Sequence, residues 1–320
     1  MNNMEGSFFS HINTDMSLVQ NNHNVVYQLN SDKGQGTASA YSVIPGVEVI
    51  IFNFQASHYM PTIHPNLNIL ELNHCHEGRA ECKMKDGCLQ YIGEGDLFMN
   101  TMNNHSNCIE FPLEYYKGIN ITIDLDKFTG QLSEYLPNIP INIPDLVNRF
   151  FLNDECFFIQ AKEDIQNIFS GMYSIPLEAR STYYRLKVLE ILIYLYYFDT
   201  AKEQQNKFYV RQEVDIIKQI KKMMTEQFEQ RFTIEELARH YCISPTALKA
   251  TFKGVYGASI GAYMKEYRIR QAASMLLKTH ESIGDIASAV GYKSQSKFGA
   301  AFKEMYKISP LEYRNKYDMK

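Results

Sequence analysis

The chain has 320 residues and 45% hydrophobic side chains, enough length and apolar content for two cores rather than one. Six cysteines in no paired-ligand spacing, with no signal peptide ahead of them, exclude a disulfide-stapled secreted fold and predict a reducing, cytoplasmic location. The most apolar run, ILIYLYYF at 191–198, lies between Glu190 and Asp199 and is far shorter than the roughly 20 residues that cross a bilayer, so it reads as a buried helix and not an anchor. The net charge of -4 conceals an asymmetry: from Arg211 onward 19 Lys and Arg stand against 12 Asp and Glu, and before it 13 stand against 24. Only the C-terminal third suits a polyanion.

In chain order, the first thirty or so residues are rich in Asn and Ser with little periodicity and read as loosely ordered at the start. From about Ala38 to Ile123, short β-branched and aromatic runs (VEVIIFNF, LNILELNHC, CLQYI, GINITI) are split by Gly, Pro and Asn turns, which predicts an antiparallel sheet domain. Cys75, Cys82, Cys88 and Cys108 lie in this region, and with nothing to lower their pKa they read as small buried hydrophobes rather than redox sensors. After Pro144, residues 160–173 and 178–198 read as two helices, the second carrying Leu186, Leu189, Ile193 and Tyr197 at spacings of three and four. Such a pair either couples two subunits or covers the sheet domain. The polar segment DTAKEQQNKFYVRQE (199–213) reads as a linker.

The C-terminal third aligns on itself. Phe252-Lys253 falls over Phe302-Lys303, Tyr256 over Tyr306 and Ser259 over Ser309 at a spacing of 50, while TIEELA (233–238) matches SIGDIA (282–287) at 49. Each copy reads as helix, turn, helix. Thr233 and Ser282 are hydroxyl N-caps with Glu236 and Asp285 three positions on, the aspartate making the weaker capping box. Gly291 supplies a left-handed residue to end its helix, whereas Cys242 must turn without glycine. Ser244-Pro245 and Ser294 open the second helices, whose Leu248 and Phe252, then Phe298 and Phe302, face the first helices. Between the copies, SIGAYMKEYRIRQAASMLL (259–277) is one periodic helix about 28 Å long at 1.5 Å per residue. Since one turn of duplex is roughly 34 Å, a spacer of this length lets two units enter successive major grooves.

On these residues, IGDIASAVGYKSQSKFGAAFKEMYKISPLEYR (283–314) and the half before it (233–276), the chain resembles the AraC/XylS family of bacterial transcription regulators, over roughly its last 110 residues. The resemblance implies that the base-contacting face falls on Thr246, Lys249, Ala250 and Lys253 in the first unit and on Gln295, Ser296, Gly299 and Ala300 in the second. Gln295 can pair bidentately with adenine and Lys249 can reach guanine, while the small residues offer a methyl or close approach. Lys253, Arg268, Lys297 and Lys303 are expected on phosphates. Residues 67–100, with Gly93, Gly95 and Asp96 as a glycine-rich turn, resemble the jelly-roll (cupin-like) barrel that such regulators carry as a sensing domain. His74, His76, Glu81 and His105 are similar to the metal-binding cupin pattern, but the distal histidine is off its place, so they are expected to line a ligand pocket with no metal and no cofactor.

The expected fold is α+β and multidomain: a cupin-like antiparallel jelly roll with a following helix pair, then an all-α domain of two helix-turn-helix units joined by a long helix. The expected division is a sensing domain over 1–155, a helical dimerisation region over 156–200, a linker over 201–212 and a DNA-binding domain over 213–320. The expected function is a non-enzymatic, ligand-responsive transcription activator, a homodimer working with promoter DNA, a small effector and RNA polymerase, away from membranes. The alternative is a metal-dependent cupin enzyme fused to a DNA-binding tail.

Overall fold

A computed structural model describes residues 16–20, 24–31, 34–61, 67–83, 87, 89–102, 108–128, 132–151, 156–200 and 209–317. The chain divides into two units, Met1–Phe208 and Tyr209–Lys320.

In the first unit the alternating runs form two antiparallel sheets. The larger is built from β1 (Met16–Gln20), β2 (Val25–Ser31), β3 (Gly34–Ile44), β4 (Val47–Ala56), β6 (Ile69–Gly78), β9 (Leu97–Thr101), β11 (Tyr116–Asp124) and β12 (Phe157–Ile159), and the smaller from β5 (His58–Tyr59), β7 (Ala80–Lys83), β8 (Leu89–Ile92) and β10 (Ile109–Glu110). Their orders are β1-β2-β3-β4-β11-β6-β9-β12 and β5-β10-β7-β8. The sheet therefore begins well before the expected Ala38, with β1 and β2, and residues 1–15, the start of the chain where loose order is expected, lie outside the described ones. β1 pairs with β2 and β2 with β3, which gives the backbone groups of these first strands their partners.

Period-two alternation sends the two faces of the larger sheet into different cores. Val47, Val49, Leu70, Leu72, Leu97, Met99, Ile119 and Ile121 pack with the helices that follow, among them α4 (Glu163–Ser174) and α5 (Arg180–Tyr197). Ala38, Ala40, Ile50, Phe54, Cys75 and Phe98 point the other way and pack with Tyr59, Cys82 and Ile92 of the smaller sheet. The 93–96 turn is locked by Asp96, which accepts from Gly93 N at 2.7 Å and from Ala161 N at 2.9 Å, tying it to the approach to α4. Three further helices, α1 (Leu125–Phe128), α2 (Leu132–Tyr135) and α3 (Ile143–Phe150), follow β11.

The apolar stripe expected on α5 is corrected. Tyr184, Val188, Ile191, Leu192 and Leu195 are the buried face, with Tyr184 Oη donating to Met172 O at 3.0 Å and Arg185 Nε to Val43 O at 2.7 Å. Leu186 (59% exposed) and Tyr197 (71%) look outward. The helix is apolar on most of its circumference, so spacing alone identifies more than one stripe, and packing chooses between them. No described helix is long and apolar enough to cross a membrane.

The second unit is helical: α6 (Arg211–Glu226), α7 (Ile234–His240), α8 (Pro245–Tyr256), α9 (Ile260–Lys278), α10 (Ile283–Ala289), α11 (Gln295–Tyr306) and α12 (Pro310–Tyr317). Of the expected linker, residues 201–208 lie outside the described residues, and α6 already begins at Arg211.

Candidate nucleic-acid interface

The two copies in the sequence become α7–α8 and α10–α11, joined by α9. Thr233 makes a full capping box, its Oγ1 accepting from Glu236 N at 3.2 Å while Glu236 Oε2 accepts from Thr233 N at 2.8 Å. Ser282 accepts from Asp285 N at 3.1 Å, but its hydroxyl donates to the Asp285 carboxylate instead of leaving that carboxylate to the backbone, so the second box is incomplete. Aspartate is one methylene too short to reach back.

Both first helices end alike. Cys242 (φ 53°) and Gly291 (φ 81°) are left-handed, and the next residue closes the turn, with Ile243 N donating to Ala238 O at 3.0 Å and Tyr292 N to Ala287 O at 2.9 Å. Ser244 and Ser294 then cap α8 and α11. The aromatics that recur along each copy form matching triads. Phe252 meets Tyr256 at 4.7 Å and Tyr263 at 5.6 Å, and Phe302 meets Tyr306 at 4.8 Å and Tyr313 at 5.3 Å. They hold each second helix to the helix after it, which explains why they repeat at a spacing of 50.

With Leu248, Phe252, Phe298 and Phe302 buried, helical periodicity turns the opposite faces out. Thr246, Lys249, Ala250 and Lys253 on α8, and Gln295, Ser296, Lys297, Ala300 and Lys303 on α11, are all exposed, and Gly299 is half-buried with open space around its Cα. The Gln295 carbonyl rests over Gly284, since a Cβ there would lie 3.3 Å from Oε1.

Arg268 is partly committed on this face. Its Nε and an Nη donate to Phe228 O and Gln230 O, each at 2.6 Å, so two of the guanidinium's five N–H donors are spent on closing the chain end after α6. Arg314 does the same for Leu276 O and Glu281 O at the end of α9. Beside α11 lies a cavity of about 590 Å³ whose lining includes Arg231, Lys265, Arg268, Lys297 and Glu304. Lys265 Nζ donates to Glu304 Oε2 at 2.6 Å, which raises the lysine pKa and lowers that of the glutamate. Lys265 and Arg231 escaped the sequence reading. Lys265 could have been found, because it precedes Arg268 by three residues on the same helix face.

The pocket candidates in the first unit are also corrected. His74 is 3% exposed, stacks on Phe169 with centroids 4.3 Å apart and holds Tyr173 Oη at 3.1 Å through Nδ1. Burial, then the nearby His76, pushes its pKa down to about 3. His76 stacks on Tyr173 at 3.9 Å. Both therefore share the face of Leu70 and Leu72 and sit under α4, on the far side of the sheet from the space between the sheets. Glu81 accepts from Tyr91 Oη at 2.5 Å, on the face of β7 opposite Ala80 and Cys82. His105 and Cys88 lie outside the described residues. Among the described residues no three His, Cys, Asp or Glu side chains gather as a metal site. Cys75 and Cys82 are buried, which pushes both thiols well above their ordinary pKa.

Residues 237–316 match the family described as a helix-turn-helix domain. The chain is 24% identical over 229 residues to an uncharacterized HTH-type transcriptional regulator, YtdP, of Bacillus subtilis (72% of this chain, 25% of the relative). It is 25% identical over 117 residues to the HTH-type transcriptional activator RhaR of Mannheimia succiniciproducens (37% of this chain, 42% of the relative). The chain thus spans well under two thirds of the length of these curated relatives. Among solved structures it is similar to the C-terminal domain of AraT, a response regulator from Geobacillus stearothermophilus, at 31% identity over 33% of this chain and 88% of that one, with a TM-score of 0.32. The chain thus carries an AraC-type helix-turn-helix domain at its C-terminus, over residues 237–316.

Proposed function

We propose that the chain is a cytoplasmic, sequence-specific DNA-binding regulator of transcription whose N-terminal unit is a cupin-like jelly-roll sensor of a small molecule. The observation that carries this reading is the pair of matched helix-turn-helix units with exposed outer faces, set at the two ends of the 19-residue α9. At 1.5 Å per residue that helix is about 28 Å long, close to one turn of duplex. Gln295, Ser296, Gly299 and Ala300 read bases from α11, and Thr246, Lys249 and Ala250 from α8, while Lys253, Lys297 and Lys303 hold phosphates.

The sensing domain takes residues 1–155, the helical region 156–200 serves dimerisation, and residues from 213 on bind DNA. The outward Leu186 and Tyr197 of α5 support a homodimer, because two large apolar side chains on one exposed helix face gain by being covered. Activation through RNA polymerase fits a regulator of this family.

Gel-shift titration of the full chain on its operator tests the reading. With about six phosphate contacts, affinity falls on the order of a thousandfold between 50 and 200 mM salt. Gln295→Ala costs about 1–3 kcal/mol and relaxes preference at one base pair, whereas Lys303→Ala weakens all sequences alike. A flat salt response, or equal loss on specific and random DNA for Gln295→Ala, rejects it.

A further inference from the structure

The cavity of about 590 Å³ beside α11 is enclosed by α11, the start of α9 and the segment ahead of α7. That volume suits one charged group and the ring attached to it. Its floor is apolar, from the buried Ile260, Met264 and Ala301, with Phe232 beside them. Its charge is one-sided: Arg231, Lys265, Arg268 and Lys297 line it against a single carboxylate, Glu304, which Lys265 takes up at 2.6 Å. Three cations remain. Arg268 gives two of its five N–H donors to backbone carbonyls and keeps three. Arg231 makes one long bond, to Gly291 O at 3.5 Å, and among the described residues no carboxylate pairs with Arg231, Arg268 or Lys297.

These charges stand close together. Burial, then the charge of Arg231, lowers the pKa of Arg268, and Tyr292 and Glu229 offset only part of this. Burial raises the Tyr292 hydroxyl above its ordinary pKa against the pull of Lys265, Arg268 and Arg231, so three cations converge on one neutral donor. A guanidinium does not shed its proton to relieve such crowding, and an anion relieves it.

An independent observation is that the cluster is absent from the repeated device. The residues that hold each unit together recur at spacings of 49 and 50, but Tyr292, Lys297 and Glu304 fall on Ile243, Ala247 and Gly254 of the first unit. The same turn and helix form there without these charges, so folding does not require them in the second unit. Lys297 and Ala300 also border the outward face of α11 that carries Gln295 and Ser296, which sets the cavity against whatever that face contacts.

We propose that the cavity is a phosphate-binding site: Arg231 and the remaining donors of Arg268 grip the oxygens, Lys297 closes the outer edge, and the apolar floor takes the sugar or ring that the phosphate carries. Paired guanidinium forks match phosphate oxygens in geometry as well as charge. The phosphate comes from one of two sources, the backbone of a duplex lying against α11 or a free monoester. The duplex source rests on the DNA-binding reading, and the free source does not.

Two titrations of the full-length protein test the site and separate the sources. One is calorimetry with phenyl phosphate, with benzyl alcohol as the uncharged comparison; the other is the salt dependence of binding to a random-sequence duplex. Arg231→Gln weakens phenyl phosphate on the order of tenfold if the source is free. It lowers the slope of log affinity on log salt by about 0.9 if the source is the duplex. Glu304→Gln, at an exposed position, frees Lys265 and strengthens the same ligand. Lys278→Gln removes a positive charge about 20 Å along α9 from Lys265 and changes neither titration. If Arg231→Gln melts unlike the parent, Glu304→Gln decides by its opposite sign. A response in either titration supports the site and names its source, and phenyl phosphate bound no better than benzyl alcohol counts as no response. Arg231→Gln and Glu304→Gln acting no differently from Lys278→Gln in both titrations overturns the proposal. That result with duplex binding intact defeats this inference alone, whereas a parent protein that binds no duplex defeats the regulator reading and leaves the site to the phenyl phosphate titration.

Discussion

The two helix-turn-helix units solve one backbone problem with different residues. Both need a left-handed residue after the first helix; α7 uses Cys242 and α10 uses Gly291. The difference lies outside the turn. A Cβ built on Gly291 would sit 2.6 Å from Glu229 O, a backbone atom that cannot swing aside, whereas Cys242 is exposed and carries its side chain into solvent. Left-handed strain alone, about 1–2 kcal/mol for a residue with a Cβ, is tolerable; strain plus a backbone collision is not. A turn that faces its own domain's chain demands glycine, and a turn that faces water only prefers it.

The largest expected effect comes from swapping these demands. Gly291→Val should destabilise the Tyr209–Lys320 unit by about 3 kcal/mol in urea unfolding followed by circular dichroism, because the branched side chain meets both costs. Cys242→Gly should move stability the other way, by no more than about 1 kcal/mol. Equal and small effects at the two positions would erase the contrast.

The caps sharpen it next. Thr233→Ala should cost about 1 kcal/mol and more than Ser282→Ala, since only Thr233 sits in a completed box. The Thr233 backbone N–H, then its hydroxyl, holds the Glu236 carboxyl below its usual 4.5. A folded value below the unfolded one contributes stability that is full above pH 4.5 and lost as pH falls through the lowered folded value. Glu236→Gln should therefore flatten the acid limb of a stability-against-pH curve, and an unchanged limb would show that the box is absent in solution.

The smallest effect is at Gly299, which takes the place that Lys249 holds in the first unit, 50 residues earlier. No atom lies within 4 Å of a Cβ built there. Gly299→Ala should stabilise α11 by about 0.5–1 kcal/mol through helix propensity alone, visible as a raised melting temperature. A loss of stability would mean that the position is crowded.

Much of this was legible in the chain because it is local. Caps, turn residues and aromatic spacing act over at most a helix or two, so a repeat of 50 residues announces two copies of one device, and periodicity alone says that Lys249 and Gln295 face outward while Phe252 and Phe302 face inward. Alternation likewise puts His74 and His76 on one face of β6. Which face is covered by α4, which stripe of α5 is buried, that Arg268 gives two donors to the carbonyls of Phe228 and Gln230, and that Glu48, Thr122, Glu71 and Asn100 form one row are matters of pairing between segments remote in sequence. A period states which residues share a face, but not what lies opposite it. That choice belongs to packing, which compares whole faces and settles on the arrangement that leaves the fewest apolar side chains and hydrogen-bonding groups without a partner.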